Sequence, residues 1–168
     1  MNSSQYVILA IAPGRRELGV AVFADADLIY SSVKTIRHRK SNDFPLEETT
    51  RILETLCRAF SIKTVVVKTI SQYQKLSPGL ERVAECIEVQ SARKGLEVRK
   101  ITLEEIKRVL CASQNATEKK AFEMLLASYP ELRRYWNRPN KWQRDYYAFL
   151  FSAVAVGMVY LKTFSERD

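Results

Sequence analysis

The chain has 168 residues, 46% of them apolar, and a formal net charge of +8. This length suits one domain with a substantial core, so we predict a single domain over residues 1–168. The three cysteines are far apart and lack C-x-x-C spacing, which argues against a disulfide framework or a zinc site. The sequence has no uninterrupted apolar run of about 18 residues and no signal-like start. We therefore expect a cytoplasmic protein that does not engage a membrane.

The N-terminal third predicts three strands that follow one another. Residues 7–11 are apolar and largely β-branched, Pro13 and Gly14 favour a turn, and residues 19–23 return to an apolar strand. This pattern predicts a hairpin. Residues 28–36 alternate well enough for a third strand.

The rest of the chain alternates helices with short strands. Thr102 with Glu105 forms a capping-box pattern that predicts the start of a short helix. Gly95 is placed to end the helix before it. The predicted segments are a helix over 45–60, a strand at 65–67, a helix from Ser77 to Lys94, a strand over 96–101, and helices over 117–128 and 142–164. This order predicts an α/β fold.

Several of these segments together resemble RuvC-type Holliday-junction resolvases of the RNase H-like superfamily. They are the hairpin with Pro13 and Gly14, the strand from Thr64, the helix that starts at Thr117, and the long last helix. The resemblance implies an RNase H-like (RuvC-like) five-stranded mixed sheet flanked by helices. It also implies a cleft where acidic side chains bind two divalent metal ions.

The family's acidic positions are substituted in this chain. Ala12 stands where the first strand of the family carries aspartate, and Lys68 stands where the fourth strand ends in glutamate. A methyl group cannot coordinate a metal ion. At about 4 Å and a dielectric of about 20, an ammonium repels each unit of positive charge by on the order of 4 kcal/mol.

The last helix of the family carries two aspartates three residues apart, and two registers are open here. The preferred register places Phe149 and Ser152 at these positions, because the small apolar residues that follow then match the family pattern. The other register uses Asp145 as the first aspartate and leaves Ala148 at the second. Neither register keeps two acids.

Basic and aromatic residues are mixed just before the last helix. Basic side chains neutralise phosphates, and exposed rings stack on unpaired bases, although such rings also pack into cores. The segment contains Arg133, Arg134, Tyr135, Trp136, Arg138, Lys141, Trp142, Arg144, Tyr146 and Tyr147.

Two further basic pairs are candidates for the same surface. Arg15 and Arg16 follow the first turn, and Lys119 and Lys120 lie in the first turn of a helix. Lys119 matches a lysine of the family by resemblance. We interpret the basic run over 34–40, which includes His38, as a solvated strand end and loop.

These patterns predict a nucleic-acid-binding protein, related to DNA recombination or repair by resemblance, that is a catalytically inactive relative of the resolvases and needs no cofactor. Two alternatives stay open. The first is an active Mg- or Mn-dependent endonuclease with relocated ligands, such as Asp145 with Glu85 or Glu88. The second is a non-enzymatic protein-interaction module. DNA is the expected partner, and because RuvC-type resolvases act as dimers, the resemblance also implies a homodimer.

Overall fold

The computed structural model describes residues 4–36, 44–69, 77–113 and 115–165. Most of the basic run over 34–40, with His38, therefore lies outside the described residues. The strands are β1 (Val7–Pro13), β2 (Glu17–Ala24), β3 (Asp27–Thr35), β4 (Thr64–Thr69) and β5 (Glu97–Thr102). The α-helices are α1 (Phe44–Ala59), α2 (Pro78–Arg93), α3 (Leu103–Cys111), α4 (Glu118–Ser128) and α5 (Lys141–Ser165).

The strands form one mixed sheet in the order β3-β2-β1-β4-β5. Strand β2 pairs antiparallel with both β1 and β3, as in a meander. Strands β4 and β5 extend the sheet in parallel with β1, each reached by a helical crossover. The predicted five-stranded mixed sheet flanked by helices is confirmed.

Alternation along β1 sends its side chains to two separate cores. Val7, Leu9 and Ile11 pack with α1 and α2, whereas Ile8, Ala10 and Ala12 pack with α3, α4 and α5. Successive side chains of a strand point to opposite faces, so one apolar run can serve both layers. Ala12 therefore points to the face of the sheet that α5 covers.

Helix α5 is the central helix of that layer and packs mainly on β1 and β2. Residues 150–157 are all buried. A methyl group on Gly19 would overlap the carbonyl of Phe149, and one on Gly157 would overlap the ring of Phe23. Glycine at these two positions lets the helix approach the sheet closely.

Helix α5 also tests the expectation that no segment crosses a membrane. By length and composition it is long and apolar enough to do so, and it is the one such helix in the described part of the chain. However, 56% of its most apolar window is buried inside the fold. More than half of this window is therefore occupied in packing within the fold.

Three helices begin where the sequence predicts. The side chains of Ser77, Thr102 and Thr117 each accept a hydrogen bond from the backbone N–H three residues later. The carboxylate of Glu105 accepts from the hydroxyl of Thr102, at 3.4 Å. Gly95 has a φ of +73°, which explains why a glycine ends α2. The sequence did not predict the short 3-10 helix over Pro130–Tyr135.

Candidate functional site

A cleft of about 720 Å³ opens where β1 and β4 end. These strands are parallel, and Ile11 pairs with Val67, so the next residues, Ala12 and Lys68, lie side by side at the same end of the sheet. Both line the cleft. The carboxyl ends of neighbouring parallel strands are a common place for binding sites in α/β folds.

The ammonium of Lys68 lies inside this cleft and contacts two other elements. Its Nζ donates to the hydroxyl of Ser152 on α5 at 3.2 Å and to a carboxylate oxygen of Glu118 on α4 at 3.3 Å. Lys68 is 20% exposed, and Ser152 is 5% exposed. A fixed positive charge therefore lies at the meeting point of β4, α4 and α5.

Helix α5 presents one face to the cleft. Residues 145, 148, 149 and 152 follow the spacing that places side chains on one side of a helix, and all four line the cleft. Both registers considered for the family's aspartates therefore lie on this face. Ser152 is the member that contacts Lys68. Asp145 is 65% exposed and forms an ion pair with Lys141 at 3.0 Å.

Phe149 and the basic pair Arg15 and Arg16 line the same cleft. The ring of Phe149 packs on the turn after β1, since a Cβ added at Gly14 would lie 2.5 Å from it. Both arginines are exposed and lie in the turn between β1 and β2. An aromatic ring therefore fills part of the space that the preferred register assigns to an aspartate.

Sequence reasoning missed three acids that line the cleft, namely Glu17, Glu104 and Glu118. The approach of Glu118 to Lys68 is a contact between residues far apart in the chain, which no local pattern shows. Together with Asp145, four acidic side chains line the cleft. The lining also contains three cationic side chains, those of Arg15, Arg16 and Lys68. The floor of the cleft is therefore not strongly positive.

The donor set does not fit a pair of divalent metal ions. Ala12 offers a methyl group, Lys68 an ammonium and Ser152 a hydroxyl, whereas Mg²⁺ prefers several carboxylate or carbonyl oxygens. Within the described ranges, no three His, Cys, Asp or Glu side chains come together closely enough to hold a metal ion.

The ligand set of the relocated-site alternative is also not assembled at the cleft. Glu85 and Glu88 line an adjoining hollow against α2, whereas Asp145 lines the cleft. Glu88 forms an ion pair with Lys100 at 2.5 Å. The partner of Glu88 therefore lies on β5.

The basic candidates outside the lining of the cleft differ in their contacts. Lys119, Lys120, Arg133 and Arg134 are exposed. Two other arginines brace the turn before α5. Arg138 donates to the carbonyl of Arg134 at 3.2 Å, and Arg144 donates to the carbonyls of Arg138 and Pro139, each at 2.9 Å.

The aromatic candidates also divide. Trp136 is half-buried and makes edge contacts with Phe122 and Phe151, at centroid distances of 6.5 and 5.2 Å. Tyr135 packs on Tyr147 at 4.8 Å. Trp142, in contrast, is 67% exposed. Most rings of this segment therefore pack inward, and Trp142 is presented to solvent.

Comparison with known proteins identifies the architecture. No protein-family model and no curated protein matches the sequence. Among solved structures, RuvC of Thermus thermophilus in complex with a Holliday junction substrate superposes with a TM-score of 0.75 and 20% sequence identity, covering 96% of this chain and 95% of that chain. The chain has the RuvC fold. A second Thermus thermophilus RuvC structure agrees, with a TM-score of 0.72, 19% identity and the same coverage.

The RuvC fold confirms the resemblance drawn from the hairpin, the fourth strand and the last helix. The superposition extends over almost the whole of both chains. On this RuvC fold, the cleft that holds Ala12, Lys68 and Ser152 lies at the ends of the two central parallel strands.

Proposed function

We propose that this chain is a RuvC-fold protein that binds nucleic acid, with DNA as the partner, and that does not cleave it by metal-dependent chemistry. The observation that carries the proposal is the position of the Lys68 ammonium, between Ser152 and Glu118 in the cleft. A two-metal nuclease needs carboxylates at such a place, because the metal ions stabilise the attacking and leaving oxygens.

The charge of Lys68 supports a metal-free cleft in two ways. The ammonium repels a divalent cation, and its ion pair with Glu118 engages a carboxylate that could otherwise serve as a ligand. Ala12 is 2% exposed and contributes only a methyl group.

Nucleic-acid binding is supported by the basic residues around the cleft and not by its floor. Arg15 and Arg16 lie at the edge of the cleft, and Lys119 and Lys120 are exposed directly after the cleft residue Glu118. Arg133 and Arg134 are exposed in the 3-10 helix over Pro130–Tyr135. A formal net charge of +8 favours a polyanionic partner. The RuvC structure that superposes over 96% of this chain is in complex with a Holliday junction, which supports DNA, and branched DNA in particular, as the partner.

The test is a fluorescence anisotropy titration with a four-way junction, a duplex and a single strand, carried out in EDTA and again in Mg²⁺. We expect binding that weakens steeply with salt and does not depend on Mg²⁺. The same substrates, incubated with Mg²⁺ or Mn²⁺, should remain intact. Absence of binding at low salt would contradict the proposal, and so would metal-dependent cleavage.

We also propose that the protein acts as a homodimer in the cytoplasm. Light scattering with and without DNA tests the assembly. A dimer that binds none of the three DNA forms would favour the protein-interaction alternative.

A further inference from the structure

A second pocket lies next to the cleft and is walled by aromatic rings. It has a volume of about 360 Å³ and is lined by Phe122, Tyr135, Trp136 and Phe151, among others. Phe122 and Phe151 are buried and stack at a centroid distance of 5.5 Å, so they form a firm floor. Trp136 stands edge-on to both and is only half-buried. The pocket is therefore preformed and keeps a ring partly accessible.

The pocket is continuous with the cleft. Glu118 and Ala148 line both spaces. A strand that follows the cleft would therefore pass the opening of this pocket without leaving the surface.

Polar and cationic groups complete the lining. Lys119 and Arg144 are both exposed cations at the pocket, and Asn137 adds an amide. Asn137 has a φ of +56°, a left-handed conformation that positions it at the turn before α5. Arg144 is held in place by its bonds to two carbonyls of this turn.

We infer that this pocket binds the base of an unpaired nucleotide. The partly exposed ring of Trp136 is available for stacking, and the amide of Asn137 can pair with donors and acceptors on the base edge. Lys119 and Arg144 are placed to contact the flanking phosphates. An apolar side chain of a protein partner would fit the rings but would gain nothing from the two cations. The inference rests on the proposed nucleic-acid binding and adds a preference for unpaired bases.

The test separates the contribution of the bases to binding from that of the phosphate backbone. We compare oligothymidylate with a strand of equal length made of abasic residues, which keeps the phosphates and removes every base. The protein carries Trp142→Ala, so Trp136 is its sole tryptophan and the exposed ring of Trp142 cannot supply the stacking. We expect oligothymidylate to bind at least about fivefold more tightly than the abasic strand, with a change in Trp136 emission.

A second variant, Asn137→Gly, removes the amide, and glycine tolerates the left-handed backbone at this position. We expect it to reduce the ratio of the affinity for oligothymidylate to the affinity for the abasic strand. Equal binding of the two strands by the Trp142→Ala protein would overturn the pocket assignment while leaving the proposed function intact. Tighter binding of oligothymidylate without any change in Trp136 emission would also overturn the pocket assignment. Binding of neither strand would also overturn the pocket assignment, and a four-way junction titrated in parallel then decides whether the proposed function fails as well.

Discussion

The ammonium of Lys68, at the end of β4, lies 3.2 Å from the hydroxyl of Ser152 on α5. The same ammonium pairs with Glu118, at the start of α4. Because Ser152 is buried and Lys68 only partly exposed, this contact holds one positive charge between three elements of the RuvC fold. The cleft thus has an internal cation in place of a cluster of carboxylates.

Replacing that cation should give the cleft an affinity for divalent metal. In the variant Ala12→Asp/Lys68→Glu, the two new carboxylates would join Glu118, which the ammonium no longer engages. Three carboxylates, two at the ends of parallel strands and one at the start of α4, are a suitable set for Mn²⁺ or Mg²⁺. We expect Mn²⁺ to raise the melting temperature of this variant relative to EDTA, because a ligand that binds only the folded state stabilises it.

The matched control is Lys68→Gln, which removes the charge and adds no acid. We expect no stabilisation of this variant by Mn²⁺. If the unaltered protein is stabilised by Mn²⁺ as much as the double variant, the interpretation of the cleft as metal-free is wrong.

The edge of the cleft should contribute to the salt dependence of DNA binding. Arg16 is exposed and lines the cleft, so Arg16→Ala should weaken binding and reduce the slope of log K against log salt by about 1. Arg58, an exposed arginine near the end of α1 on the opposite layer, is the matched control. A slope that falls equally for Arg58→Ala would show that the contacts are spread over the whole surface.

Close packing of α5 on the sheet should make Gly157 intolerant of a side chain. A methyl group at this position would overlap the ring of Phe23, which is itself fully buried. We expect Gly157→Ala to lower the free energy of unfolding by about 1–3 kcal/mol in urea titrations. Gly79, in the first turn of α2, has no atom within 4 Å of an added Cβ. Gly79→Ala should be neutral or stabilising by up to about 1 kcal/mol, and similar losses for both would contradict the packing account.

A hydroxyl cluster at the other end of β1 should make stability depend on alkaline pH. The hydroxyl of Tyr6 contacts Thr64 and lies 3.0 Å from the hydroxyl of Tyr160. Burial, followed by the hydrogen bond with Tyr6, raises the pKa of Tyr160 to about 12. An unfolded tyrosine has a pKa of about 10, so between these values the unfolded chain loses a proton that the folded chain keeps. The contribution of Tyr160 is therefore present below about pH 10 and is lost as the pH rises towards 12.

The measurement compares unfolding of the protein and of Tyr160→Phe from about pH 9 to about pH 12. The phenylalanine variant should be less stable at the lower pH, and the difference should shrink as the pH rises. A difference that stays constant or grows would contradict a raised pKa at this position.

Local patterns predicted most of the helices and strands, and the resemblance to RuvC-type resolvases implied how the strands form one sheet. The helix starts at Ser77, Thr102 and Thr117 are short-range signals, and the structure places them as predicted. The predicted turn is also present, but it begins at Gly14, because Pro13 is the last residue of β1 and pairs with Leu18. Apolar alternation then identified strands, and helical spacing of apolar residues identified helices. The 3-10 helix over Pro130–Tyr135 was missed because a short turn of this kind carries no apolar period.

The site was only partly predictable. Ala12, Lys68 and Ser152 could be placed through the resemblance, and they do line one cleft. The contact between Lys68 and Glu118 joins residues 50 positions apart, so it depends on how α4 packs and not on any local motif. For the same reason the sequence could not separate the inward-facing Trp136 from the exposed Trp142, since both lie in one basic and aromatic segment.

The most direct test of the metal-free cleft is a crystal structure grown with Mn²⁺, examined for anomalous scattering between Ala12, Lys68 and Ser152. We predict no manganese peak in the cleft and a Lys68 ammonium within hydrogen-bond distance of both Ser152 and Glu118. A manganese ion held there by three or more acidic oxygens would contradict the account.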